Sequence, residues 1–248
     1  MYKVVWVARF RSGTSAADAR RHWTTVHGPL GARVPGIERY VQSHVISALG
    51  ALAPSEEPAA FDGYSCCWYA DRGAFEASLR TPEWSALGGD SPNLFDDSRW
   101  DGSSASLDRR TIIEGDEAPF KTVWFVRFKS DVRGDPARTR EAHEYWIAQH
   151  GGHFGVSVPG ISRYVQNHVV HPIDGNGENE QISMDFDGFS ECWFADRAAF
   201  ELAMASPEWL RMNEDAVDLF DIGYTVPSMS AVLEQHVIVA GARELAIA

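Results

Sequence analysis

The chain has 248 residues, 44% apolar and 23% charged, a composition that excludes collagenous, low-complexity and largely disordered classes. Asp and Glu outnumber Lys and Arg 35 to 22, for a net charge of −13, and such a field repels phosphate backbones and anionic lipid. No nucleic-acid or membrane partner is therefore expected. Three cysteines, Cys66, Cys67 and Cys192, are too few for a disulfide framework, and no CxxC or CxxH spacing marks structural zinc. The N-terminal apolar run is broken by Arg9, too early for a signal-peptide core, so a cytoplasmic location is expected.

The chain repeats itself. Lys3–Phe10 (KVVWVARF) returns as Lys121–Phe128 (KTVWFVRF), and Val34–Ile46 returns as Val158–Val170 with ten of 13 positions identical. Asp62–Asp71 matches Asp187–Asp196, and Thr81–Trp84 matches Ser206–Trp209. Eight of nine tryptophans pair across the repeat, leaving Trp100 alone. A tandem duplication follows, with repeats at 1–117 and 118–248 that divide near Gly115–Phe120.

Each half reads β-α-β-β-α-β. A Val- and aromatic-rich strand spans about 3–11, and Ser15 then begins a helix that carries Trp23 and His27 and ends at Gly28–Pro29. Pro35–Gly36 opens a second strand, about 37–47, and a loop rich in Ala, Pro and Glu leads to a third, about 63–70. Asp71 caps a helix over about 72–88 that is interrupted near Pro82, and a last strand covers about 105–114. The second half repeats this order and ends near 231–240. The fold class expected is α+β: two tandem ferredoxin-like repeats whose sheets pack face to face as an intrachain α+β barrel around a cavity.

Period-two alternation puts Tyr40, Gln42 and His44 on one strand face, and Tyr164, Gln166 and His168 on its repeat. The more apolar face should meet the helices, so these polar triplets are expected in the inter-sheet space or toward solvent at an edge, where they either bind or move protons on a small molecule or hydrogen-bond across the barrel and hold it together. Trp23 and His27, like Trp146 and His150, are i,i+4 neighbours on a helix face; each His is either a pocket residue or a helix-end cap. Position 22 is His where the repeat has Tyr145. Glu191, on one strand face with Phe189 and Trp193, replaces Cys66; among aromatics its pKa should rise, unless it is a solvated edge residue or pairs with Arg127. Arg9 and Arg127 could hold a substrate carboxylate. His143 and His150 lack a third ligand, so no metal is expected. The polar loop Gly175–Asn179 is a lid or simply a loop.

At His22–Leu30 (HWTTVHGPL), Pro35–Ile37, Tyr145–Trp146 with His150–Gly151, Asp187–Glu191 and Phe194–Asp196, the chain resembles the EthD-like family of dimeric α+β barrel proteins. Proteins of similar fold include muconolactone isomerases, polyketide cyclases, cofactor-free monooxygenases, dehydratases and lyases. The resemblance implies a small aromatic, lactone or polyketide-like substrate, acid–base chemistry and no cofactor. His22 stands for the family's usual Tyr and Cys66 for its usual Glu. The second half also departs, with Gly152–His153 where the first keeps Pro29–Leu30.

The second half thus carries the more family-like groups, Tyr145, His150, Tyr164, His168 and Glu191. The expected activity is a cofactor-independent lyase or isomerase. Its proton acceptor is His168 or His44, its oxyanion donor Tyr164 or Tyr40, and Glu191 and His150 complete the acid–base set. Tyr40, His27, Tyr145, Arg127, Trp193 and Gln166 bind substrate. A cofactor-free monooxygenase, a non-catalytic small-ligand binder and a haem-binding barrel are the alternatives, and a homodimer of duplicated chains is compatible with all of them.

Overall fold

The computed structural model describes residues 1–50, 58–96, 102–225 and 229–241. The Ala/Pro/Glu loop at 51–57 and Trp100 lie outside the described residues. In the first half the strands are β1 (Tyr2–Ala8), β2 (Arg39–Ala48), β3 (Gly63–Tyr69) and β4 (Ser104–Ile113). In the second they are β5 (Phe120–Val126), β6 (Ile161–Asp174), the two-residue β7 (Gly177–Glu178), β8 (Gly188–Phe194) and β9 (Ser230–Val239). Within each half the order is ferredoxin-like, β4-β1-β3-β2 and β9-β5-β8-β6. Antiparallel pairing of β2 with β9 and of β4 with β6 joins the two sheets and closes an eight-stranded barrel. Closure removes every open edge of the two ferredoxin-like sheets.

Caps set the helices. Ser15 accepts the amide of Asp18 to start α1 (Ala16–His22), and Asp71 accepts that of Ala74 to start α3 (Arg72–Ser78). Thr81, not Pro82 itself, separates α3 from α4 (Pro82–Leu94): its hydroxyl caps the amide of Trp84, with Pro82 at the first helical position. Gly28–Pro29 does not end the first helix. The chain passes through a π turn at Trp23–His27 into α2 (Gly28–Gly31), with helical backbone kept through His27 and Gly28 and Pro29 in the first turn of α2. The second half has α5 (Ser130–Arg133), α6 (Pro136–Tyr145), a longer π segment at Trp146–Phe154, α7 (Arg197–Met204), α8 (Pro207–Leu219) and α9 (Ile222–Thr225). Among the described residues no helix is long and apolar enough to cross a membrane.

The barrel interior is packed. Val5, Val41, Phe61, Tyr64, Phe125, Phe189 and Leu233 belong to one buried cluster, and a cavity of about 20 Å³ lies beside Lys3, Lys121 and Glu191. Here the expected orientation of the second strand is overturned. Val41, Ser43 and Val45 face the barrel interior, while Tyr40, Gln42 and His44 lie under the helices, as do Tyr164, Gln166 and His168 in β6. Both faces of these strands are covered, so polarity did not mark the helix side. On the helix side the amides of Gln42 and Gln166 donate to the Trp23 and Trp146 carbonyls, so these polar groups find their partners in the π turns themselves.

Candidate active site

Two cavities of about 420 Å³ lie between the outer sheet faces and the helices, one in each half. Equivalent residues line them: Trp6, His27, Tyr40, Cys67 and Trp84 in the first, and Trp124, His150, Tyr164, Cys192 and Trp209 in the second. Tilted indole pairs form one wall, Trp6 with Trp84 at 5.8 Å and Trp124 with Trp209 at 5.5 Å. The first cavity also has Arg9, Ser91 and Ser104 in its wall, whereas the second has Met212, Ala216 and Ile222. Half-exposed Leu210 and Val217 line the second as well, so an apolar surface leads into it.

Each cavity has a His–Asp dyad. His150 Nδ1 donates to Asp215 Oδ2 at 2.7 Å, and the other carboxylate oxygen accepts from Tyr145 at 2.6 Å. In the first half His27 Nδ1 donates to Asp90 Oδ2 at 3.0 Å and His22 Nε2 serves Oδ1 at 3.0 Å. The His22/Tyr145 difference in sequence is thus a change in the group that holds the carboxylate's second oxygen. Burial pushes the pKa of Asp90 and Asp215 up, but the hydrogen bonds from these partners outweigh it and hold both carboxyls below their ordinary value. An ionised Asp on Nδ1 fixes the imidazole tautomer and leaves Nε2 of His150 as the nitrogen for a ligand.

The Tyr-Gln-His triplets form a hydrogen-bond chain beside each dyad. Gln166 Nε2 donates to the Trp146 carbonyl at 3.0 Å and to Tyr164 Oη at 2.9 Å. Only the NH₂ of an amide can serve a carbonyl, so Oε1 faces His168 Nε2 at 3.2 Å and that nitrogen carries the proton. Nδ1 of neutral His168 then accepts from His143 Nδ1 at 2.8 Å. At the far end Tyr164 accepts from Gln166, so its own proton is directed to Ser190 Oγ, 3.3 Å away, or to a ligand. Burial raises the pKa of the Tyr164 and Tyr40 phenols, which keeps them protonated as donors. In the first half Gln42 Nε2 donates to the Trp23 carbonyl at 3.1 Å and to Tyr40 at 2.9 Å, with His44 Nε2 at 3.3 Å from Gln42 Oε1.

Close packing makes this arrangement depend on glycine. A Cβ on Gly151 would lie 2.4 Å from Gln166 Nε2, and one on Gly155 2.7 Å from Tyr164 Cε1. Gly31 stands the same way against Tyr40, and Gly63 and Gly188 admit the rings of Trp23 and Trp146 onto the sheet.

The structure therefore sorts the candidates read from sequence. His27, His150, Tyr40 and Tyr164 line the cavities. His44, His168 and Gln166 stand behind the tyrosines: the two rings are almost fully buried, against Trp23 and Trp146, and burial lowers each pKa to about 3. Tyr145 touches the dyad from outside and is pushed up to about 12 by its hydrogen bond to Asp215.

Glu191 and Trp193 are inside the barrel, on the opposite sheet face from Tyr164 and His150, so a single pocket holding all of them does not exist. The Glu191 carboxyl is not raised. Burial pushes it up, but Lys121 at 2.6 Å and Lys3 at 3.7 Å hold it well below the usual carboxylate range. Arg127 pairs with Asp221 at 2.9 Å and lies over Tyr224, away from Glu191. The Gly175–Asn179 segment is the turn at Gly175 and Asn176 followed by β7 itself, and Gly175 lines the first cavity. Among the described residues no three His, Cys, Asp or Glu side chains are grouped to hold a metal. Sequence reasoning missed Asp90 and Asp215.

Comparison with solved structures gives the same architecture. An anthrone oxidase-like protein superposes with a TM-score of 0.53 at 12% identity, over 98% of this chain and 96% of that chain. A protein provisionally assigned as a monooxygenase, from Fusobacterium nucleatum, superposes with a TM-score of 0.51 at 9% identity, over 96% and 92%. At such identities the likeness speaks for the fold alone. No curated protein sequence matches the chain. The EthD domain model matches residues 11–98 and again 135–223, one match in each repeat, and the chain belongs to the EthD domain family.

Proposed function

We propose that the chain is a cofactor-independent acid–base enzyme, a lyase or isomerase acting on a small aromatic, lactone or polyketide-like metabolite. One observation carries this reading: the histidine of a His–Asp dyad and a buried, protonated tyrosine line one aromatic-walled cavity, and the constellation occurs twice. His150 Nε2 takes a proton from the carbon next to a carbonyl, and the Asp215 carboxylate stabilises the imidazolium that results. The Tyr164 hydroxyl donates to the oxygen on which negative charge develops. Return of the proton at another carbon gives an isomer; loss of a β-substituent gives an eliminated product. His168 and Gln166 act through Tyr164 as positioning residues, and His27, Asp90, Tyr40, Gln42 and His44 repeat these roles in the first half.

A cofactor-free monooxygenase is the second reading. The fold likeness to proteins named for monooxygenase and anthrone oxidase-like activity favours it. The same enolate, formed in an apolar cavity, would meet oxygen instead of a proton. Aerobic incubation with phenolic, lactone and polyketide-like compounds separates the two, with mass spectrometry following substrate and an electrode following oxygen. An isomer or a dehydrated product without oxygen uptake supports the first reading. A gain of oxygen with uptake supports the second, and binding with no change in mass makes the protein a ligand carrier.

A further inference from the structure

The two cavities share their strand side and differ on their helix side. Tyr40, Ser65 and Cys67 line the first, and their repeat partners Tyr164, Ser190 and Cys192 line the second. The helix that carries the dyad aspartate has changed. Counted from the paired tryptophans Trp84 and Trp209, the matched positions are Ser85 and Leu210, Ser91 and Ala216, and Pro92 and Val217.

Leu210 and Val217 stand two turns apart on one side of α8, about 10 Å along its axis. Both line the second cavity, and both are about half exposed, at 46% and 54%. Met212 and Ala216 on the same helix form the half-buried part of that wall. A ligand seated against Met212 and Ala216 can therefore extend along α8 toward the surface and stay in apolar contact. The surroundings are acidic. Exposed Glu214 lines the same cavity, Asp218 is exposed beside Val217, and Arg211 faces Glu208 at 3.9 Å. An anionic tail would meet repulsion there, whereas an uncharged one would not.

We propose that the second cavity takes a ring ketone that bears an uncharged hydrocarbon chain, with the ring inside and the chain laid along Leu210 and Val217. This rests on the reading of His150 and Tyr164 as the groups that meet the carbonyl, and it narrows the substrate class of that site. Forms that end in a carboxylate or carry a phosphate are disfavoured. The first half, with Ser85 and Pro92 at the matched positions, lacks this apolar track, so the duplication has kept the chemical groups and divided the ligands.

Equilibrium titration of the full chain with acetophenone, hexanophenone and 5-benzoylpentanoate, followed by tryptophan fluorescence, tests it. Hexanophenone should bind more tightly than acetophenone by about 2-fold for each added methylene, since a chain on an open track is buried on one side only. The carboxylate-ended analogue should bind about 10-fold more weakly than hexanophenone. Leu210→Ser/Val217→Ser alters two half-exposed side chains, so the fold should be kept, and it should bring acetophenone and hexanophenone to within about 3-fold of each other. No turnover is needed, so this binding pattern without reaction would count against the acid–base chemistry alone. Equal affinity for the two ketones, a carboxylate that binds as tightly as hexanophenone, or a chain-length gain that survives in the folded double variant overturns the proposal.

Discussion

His44 and His168 illustrate how a residue type can be picked out correctly and its surroundings misjudged. Alternation picks them out with their Tyr and Gln neighbours, but both faces of their strands are buried, and the rings sit behind the tyrosines as neutral groups. Their folded pKa of about 3 lies below the unfolded value near 6.5. The unfolded chain therefore binds more protons between those limits, and stability falls as pH drops from 6.5 toward 3. Each ring should contribute a slope on the order of 1 kcal/mol per pH unit, and His168→Asn should flatten urea midpoints between pH 6.5 and 5 relative to the natural chain.

Asp90 and Asp215 show the opposite case. An acidic residue within an amphipathic helix reads as solvated face, so periodicity alone does not single them out. The signal lay in the repeat, since each stands six residues after a paired tryptophan, Trp84 or Trp209. In a chain whose first-half dyad is disabled by His27→Ala, adding Asp215→Asn should lower kcat by about 10²-fold or more while Tm changes little. Steady-state kinetics on the first substrate identified checks this, and unchanged kcat would remove Asp215 from the site.

At the scale of elements, the strand ladders and helix caps were legible because Ser15, Asp71 and the alternating runs act through local geometry. The π turns were not. They arise where Trp23 and Trp146 must pack on the sheet while their carbonyls accept from Gln42 and Gln166, a tertiary demand with no local signature. Gly–Pro at 28–29 looked like a stop for the same reason. The fit is tight at Gly188, whose added Cβ would lie 2.4 Å from the Asn167 carbonyl and 2.7 Å from the Trp146 ring. Backbone cannot yield there cheaply, so Gly188→Ala should destabilise by about 1–3 kcal/mol in urea titration. Gly175→Ala meets nothing within 4 Å and serves as the neutral control.

At the scale of the molecule, the duplication was the most legible feature, because eight paired tryptophans fix the correspondence of halves and thereby the barrel. Which side of each sheet holds the cavities was not legible, since it follows from how fully the barrel interior packs. The seams β2–β9 and β4–β6 bear the closure, so a chain cut between Ile113 and Phe120 should still elute as one particle of two fragments in size-exclusion chromatography. Two cavities in one closed barrel also mean two dyads per chain. The central claim, proton abstraction by those dyads, is tested most directly by deuterium exchange at the carbon next to the carbonyl of aryl ketones such as α-tetralone, followed by NMR in D₂O. The protein should accelerate exchange over buffer, His150→Ala or Tyr164→Phe should lose the second site's share, and His27→Ala/His150→Ala should abolish it with the fold intact. Exchange no faster than in buffer across the ketones, or undiminished in the folded double variant, would contradict it.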